Sequence, residues 1–392
     1  MGFFTRLFTG KSEGSIESTA SGNIVKQILG IEILLIGLFL LLLVKSEVMR
    51  KMLLNNKIWL ALFTFSVISI AWSDVQAVSF RRLIAFTTLL VCALAIAVNF
   101  RFKSLLIYLS DSIFVAALIG LLLIIVAPNM AIMDQDGAGR TNTFFGIFYD
   151  KNAGARCYAY ALLIKIAYSN LADLKSWFKI AILAVCIVLA NSATAIVMVV
   201  IGTSAIIALN VLHTSDQKVN LQRVLAVIVT AIFLSIIVNF AYTFLLELLG
   251  RDPSLTNRAI IWELITPYVE EKLLLGYGFG AFWASSSASA FVERWGFIGN
   301  AHSGYFEALL NGGLVYLVLV VAVILKAIND CLKYYVTKAD GRIIAPVLAI
   351  IVIQVIVNYV GFVILNYNSA DTFFLATICF ALTYLGFQKK SD

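Results

Sequence analysis

A chain of 392 residues that is 61% hydrophobic and only 13% charged has too little polar surface to cover a water-soluble body, in which about a quarter of residues are charged. With a mean hydropathy of +0.95 it reads as a polytopic membrane protein. The net charge of +7 is scattered among spans and short loops, which argues against nucleic acid as a partner, and the five cysteines show no metal-site or disulfide spacing.

Residues 1–23 are polar, rich in Ser and Gly, and lack a cleavable signal pattern. Apolar runs follow at 24–44, 57–72, 83–100, 104–127, 152–170, 177–192, 194–212, 223–246, 304–328, 343–364 and 371–387. The stretch 177–212 would be about 54 Å long as one helix, against a bilayer core of about 30 Å. It is therefore split at Asn191-Ser192-Ala193-Thr194. The expectation is an all-α polytopic membrane protein with about eleven (10–12) transmembrane helices. Its divisions are a polar segment 1–23, a bundle 24–246 with an outer loop 128–151, a large outer loop 247–303, and the C-terminal helices and tail 304–392.

Sidedness follows from basic residues. Lys326, Lys333, Lys338 and Arg342, and the Lys389-Lys390 tail, belong inside. Counting back puts 247–303 and 128–151 outside. By parity the N-terminus lies outside, whereas Arg6, Lys11 and Lys26 favour the cytoplasm; the two indications oppose each other.

Only the two outer segments are long enough to hold chemistry. In the larger, a helix from about 255 places Arg258, Ile261, Trp262, Ile265 and Val269 on one face, with Glu263 and Glu270 turned away and Pro267 expected to kink it. An arginine on the apolar side of an interfacial helix either snorkels toward headgroups or meets an anion. His302 stands where this loop becomes a helix, with Tyr305 and Phe306 one turn on. It is either a hydrogen-bonded structural histidine or a reactive one at the mouth of a span. Glu307 reads as a carboxylate at a helix start, and His213 as a solvated loop histidine. In the smaller segment, Arg140, Lys151 and Arg156 form a basic set, with Asn152 one turn before Arg156. Arg81 and Arg82 also defy the positive-inside trend. These outer cations imply a membrane-bound anion, for which the arginine fork favours phosphate; the plainer alternative is lipid headgroup contact.

No GxxxxGK[ST] loop is present, which speaks against an ATP-driven machine. No metal is expected: Asp134 and Asp136 lie in a Gly-rich turn. The "ASSSASA" run at 284–290 reads as a flexible stretch.

The runs "GRDPSLTNRAIIW", "GYGFGAFW" and "AHSGYFEALLNGGL" resemble the bacterial O-antigen ligase/polymerase superfamily, especially its Wzy-type (ExoQ-like) polymerases. Asn257 stands where that pattern has glycine, and "TFFGIFYDKNAGAR" (143–156) resembles a second outer motif. These quoted runs cover an eighth of the chain. The resemblance implies a GT-C-like glycosyltransferase of the bacterial inner membrane, active at the periplasmic face without metal or cofactor. The implied donor is a glycan on undecaprenyl diphosphate, and the implied partners are a flippase and a chain-length regulator. It also implies His302 as proton acceptor and Arg258 with Arg251 as diphosphate ligands. Arg140, Arg156 and Tyr305 join them as candidate substrate contacts from position. A ligase acting on a lipopolysaccharide core, or a transporter of lipid-linked sugar, is the rival reading. Long structured outer loops and the absence of repeat symmetry count against the transporter.

The charge asymmetry gives the first prediction. An impermeant thiol reagent should label Ser286→Cys in intact spheroplasts and leave Thr337→Cys unlabelled. The opposite pattern would invert the topology and with it the periplasmic site.

Overall fold

The computed structural model describes residues 23–135, 141–170, 172–214, 216–248, 258–296, 299–337 and 341–388. Within these residues it is a succession of helices with one short hairpin. The helices are α1 (Ile24–Leu42), α2 (Ser46–Asn55), α3 (Lys57–Ile68), α4 (Gln76–Asn99) and α5 (Phe102–Val126). Antiparallel strands β1 (Ile132–Gln135) and β2 (Thr141–Phe144) follow, pairing Met133 with Thr143. Then come α6 (Lys151–Tyr168), α7 (Leu174–Leu189), α8 (Ala193–Leu212) and α9 (Gln217–Leu248). The last five are α10 (Arg258–Glu271), α11 (Ser286–Trp295), α12 (Gly304–Thr337), α13 (Gly341–Val357) and α14 (Ala370–Gln388).

Seven of the described helices are long and apolar enough to cross a membrane: α1, α4, α5, α8, the first part of α9, α12 and α14. An eighth span results if α2 and α3, bent by 80°, cross together. The all-α membrane fold stands, but eleven spans are not reached on this measure. The expected spans at 152–170, 177–192 and 343–364 are helical, as α6, α7 and α13. However, α6 carries Lys151, Arg156 and Lys165, while α7 and α13 have only 16 and 17 residues. The long apolar run does break where expected. α7 ends at Leu189, Asn191 takes a φ of +48°, and α8 starts at Ala193. The 284–290 run differs from expectation. Instead of a flexible stretch it forms the start of α11, with Ala288 fully buried.

The chain divides into two compact units interleaved along the sequence: residues 1–6, 100–256 and 328–356, and residues 7–99, 257–327 and 357–392. In the first, α6 packs with α5, α7 and α8 and is buried from Gly154 to Lys165 except at Arg156. A helix covered on every side has no polar face to show, so the weak amphipathicity of this segment is expected. The Lys165 ammonium lies 2.8 Å from Asp111, which also takes Lys179 at 2.7 Å. Sharing one carboxylate offsets the cost of placing two cations among apolar helices.

In the second unit α4 packs against α1 and α14. Its distinctive feature is a break in α12 at Gly312 and Gly313. A broken helix leaves amides and carbonyls that lipid cannot satisfy. Here the turn after α10 supplies the partners: Leu314 N–H donates to Leu273 C=O (2.8 Å), and Tyr277 N–H to Leu310 C=O (2.8 Å). Gly313 adopts a φ of +62°, and a Cβ there would lie 2.3 Å from the Leu274 carbonyl carbon. Gly296, which ends α11, has a comparable φ of +84° with nothing within 4 Å.

Strain alone costs about 1–3 kcal/mol, whereas Gly313→Ala adds a backbone collision. Gly313→Ala should therefore lower the melting temperature in detergent well beyond Gly296→Ala. Equal effects would mean that the break does not depend on this close approach.

Candidate functional site

In the second unit α10 has the face expected of it. Ile261, Ile265 and Val269 are buried, Arg258 and Trp262 half-buried, and Glu263 and Glu270 exposed. The helix continues through the exposed Pro267, and Val269 keeps its place in the buried row. Burial of that row against Tyr277, Phe282, Trp283, Phe291 and Leu310 fixes the rotation of α10. The same rotation sets the direction in which the Cα–Cβ bond of Arg258, at the first residue of α10, leaves the helix.

One turn on from Arg258, Trp262 joins this helix to the His302 turn. Its indole N–H donates to the Ala301 carbonyl at 2.9 Å, while its ring stacks on Phe306 (5.6 Å, 13°) and meets Tyr359 at 5.1 Å. The other side of the Ala301 residue is held as well. Its N–H donates to Glu307 Oε1 at 2.5 Å, and the same oxygen accepts the Trp283 indole N–H at 2.7 Å. Glu307 is 3% exposed. It is thus more than the helix-start carboxylate expected from sequence: it is a buried acceptor tying α12 to the preceding turn.

His302 follows directly, half-buried, with a φ of +50° and its N–H donated to Asn300 Oδ1 at 2.9 Å. The left-handed region is strained for a residue with a Cβ, although histidine enters it more readily than most. Gly304 then donates its N–H to Asn358 C=O (2.8 Å) and Gly361 C=O (3.1 Å). A Cβ on Gly304 would fall 1.9 Å from Asn358 Oδ1, so the glycine of "HSGY" permits a contact no side chain would allow. Tyr305 is half-buried, with its phenol near the Asn358 side chain.

The Gly-rich turn from 276 to 280 is held by residues distant in sequence. Phe279 N–H donates to Ser69 Oγ (3.1 Å), Gly280 N–H to Asn311 Oδ1 (3.0 Å), and Arg82 donates to the Gly280 carbonyl. The Arg82 guanidinium also lies 5.1 Å from the Tyr367 ring centre and acts electrostatically on Glu307. It is buried. Arg82 therefore leaves the set of outer cations read as anion ligands, because backbone, ring and carboxylate already engage its charge. Outside the spans, burial and then the nearby Glu271 carboxylate raise the Tyr277 phenol, which stays protonated and donates to Tyr268 C=O (3.0 Å) and Glu271 (3.2 Å).

Sequence reasoning misplaces residues 358–364. It runs a span through 364, whereas α13 ends at Val357 and the chain then turns over the His302 segment through Asn358 and Gly361. The signal available was "NYVG", which places Asn358 and Gly361 inside the expected span, ahead of the further asparagines Asn366 and Asn368.

In the first unit, Asp150 caps α6 by accepting from Asn152 and Ala153 N–H, both at 2.9 Å. Ser192 donates to Asn152 Oδ1 at 3.1 Å, joining this start to the α7–α8 turn. Lys151 is buried and Arg156 half-buried one turn after Asn152. His213 is half-buried rather than solvated: its Nε2 lies 3.1 Å from Tyr335 C=O and its ring 5.0 Å from the Tyr335 ring. Arg140, Arg251, Asp136 and Asn257 lie outside the described residues.

Residues 178–321, which take in α10, the Gly-rich turn and His302, match the family described as O-Antigen ligase. The chain is also similar to the exopolysaccharide production protein ExoQ of Rhizobium meliloti (strain 1021). The two are 26% identical over 311 residues, 72% of this chain and 68% of that protein. Over these stretches the chain is similar to proteins of the O-antigen ligase/polymerase superfamily. The similarity to ExoQ agrees with the motif resemblance.

Proposed function

We propose that this protein is a polysaccharide polymerase. It transfers a growing O-antigen, capsular or exopolysaccharide chain from undecaprenyl diphosphate onto a lipid-linked repeat unit, at the periplasmic face of the bacterial inner membrane. One observation carries the reading. In a membrane chain similar to this superfamily, the Trp262–Ala301 hydrogen bond joins the helix that begins with Arg258 to the turn that carries His302.

The chemistry asks for two things that these residues supply. An acceptor sugar hydroxyl attacks the donor's anomeric carbon, forming the new glycosidic C–O bond as the bond to the diphosphate oxygen breaks. The leaving undecaprenyl diphosphate departs with that electron pair, and cationic hydrogen-bond donors stabilise the charge. Arg258, with Arg251, fills that role, and its planar fork suits two phosphate oxygens at once. The hydroxyl proton passes to His302, a residue type that titrates near neutrality. Arg140 and Arg156 are assigned to the acceptor's lipid diphosphate, and Tyr305 to the glycan. A flippase and a chain-length regulator are the partners this reading assigns to it.

The alternative is a ligase that moves finished polymer onto a lipid A-core acceptor. It is kept because the matching family is described as O-Antigen ligase. The donor chemistry is the same for both, so the acceptor decides.

With purified lipid-linked donor, His302→Ala should lower transfer by about 10²–10⁴. Arg258→Ala should abolish it, and Arg258→Lys should be severely impaired because an ammonium lacks the fork. The exposed Glu263→Ala should be mild. Full activity in His302→Ala would return it to a structural role. In a deletion strain, single repeat units should remain on carrier or surface acceptor. Long polymer stranded on undecaprenyl diphosphate would instead establish the ligase.

A further inference from the structure

We propose that Glu307 and Trp262 are positioning residues for His302, acting through the Ala301 peptide groups that they grip from opposite sides. The inference rests on the proposed role of His302 and adds two residues that the motifs do not single out for that role.

The geometry is specific. The N–H of Ala301 is donated to Glu307 and its C=O accepts from Trp262, so both backbone groups of the residue before His302 are engaged by side chains. The conformation being held is unfavourable by itself, with His302 at a φ of +50°. Without both grips, the turn relaxes toward ordinary negative φ, and the imidazole swings with it. Neither grip is a loose surface contact. Glu307 is buried and fixed a second time by the Trp283 indole. Trp262 is fixed by Phe306 on its face and Tyr359 at its edge. Glu307 is also on the first turn of α12, whose N–H at Glu307 donates to Ser303 C=O at 3.0 Å. The acceptor and the residues flanking His302 therefore belong to one hydrogen-bonded loop. Glu307 acts here as an acceptor atom, not as a base. A glutamine side chain keeps an oxygen in the same place, and a phenylalanine at 262 keeps the stacking while losing the indole donor.

The test measures kcat and KM for lipid-linked donor in Glu307→Ala, Glu307→Gln, Trp262→Phe and His302→Ala, per amount of folded protein by size exclusion. A misplacement of about 1 Å costs about 100-fold. Glu307→Ala should therefore lose about 10–100-fold in kcat with KM within about twofold of the parent. Trp262→Phe should lose kcat in the same way, and Glu307→Gln should recover most of it. Unchanged kcat in the folded fraction of Trp262→Phe and Glu307→Ala would overturn the proposal; should Glu307→Ala not fold, Trp262→Phe decides alone. A Glu307→Gln variant as inactive as His302→Ala would overturn it too, by making Glu307 a proton-transfer group. Undiminished kcat in His302→Ala would instead remove the underlying role of His302. That failure is distinct from a dead His302→Ala beside an intact Trp262→Phe.

Discussion

Both backbone groups of Ala301 are bonded to side chains from other parts of the second unit, and the orientation of His302 depends on that double hold. Trp262 brings α10 to the turn, so the helix whose rotation sets the Cα–Cβ direction of Arg258 is also the one that fixes the peptide before His302. Glu307 brings α12. A single residue of backbone therefore couples the two residues proposed to do the chemistry.

The hold is possible because α12 is broken. Its first segment, ahead of Gly312 and Gly313, carries Glu307 and Asn311 as a short rod separate in direction from the long apolar part. A break in a membrane-crossing helix is tolerated only where protein satisfies the freed groups. The turn after α10 does this with the Leu273 carbonyl and the Tyr277 amide. The same turn presents Gly280 to Arg82 and Asn311, and Trp283 to Glu307. Satisfying the break and building the site are one arrangement, which explains why the Gly-rich run and the histidine run both belong to the recognisable pattern.

Parts of this are legible in the sequence and parts are not, for physical reasons. The buried face of α10 is legible because helical periodicity persists through Pro267, and the α7–α8 break because one helix would outrun the bilayer. The start of α6 is legible as a motif, while its buried environment is not, since Lys151 and Lys165 look like surface residues until their neighbours are known. The Trp262–Ala301 bond joins residues 39 apart, and the Arg82–Gly280 bond residues 198 apart. No local pattern encodes either. From sequence Arg82 therefore reads as one of the outer cations, and Glu307 as a carboxylate at a helix start. The turn from 358 to 364 is hidden by the apolar residues between Asn358 and Asn366, which carry a hydropathy reading past the end of α13.

The central claim is that the α10 start and the His302 turn together receive a lipid-linked diphosphate glycan. The most direct measurement is a structure of the full chain in nanodiscs with a non-hydrolysable undecaprenyl diphosphate glycan analogue. The account predicts the diphosphate on the Arg258 guanidinium, with the imidazole of His302 facing the anomeric carbon from within about 3–4 Å of an acceptor oxygen. A diphosphate bound away from Arg258, with His302 turned from the sugar, would contradict it.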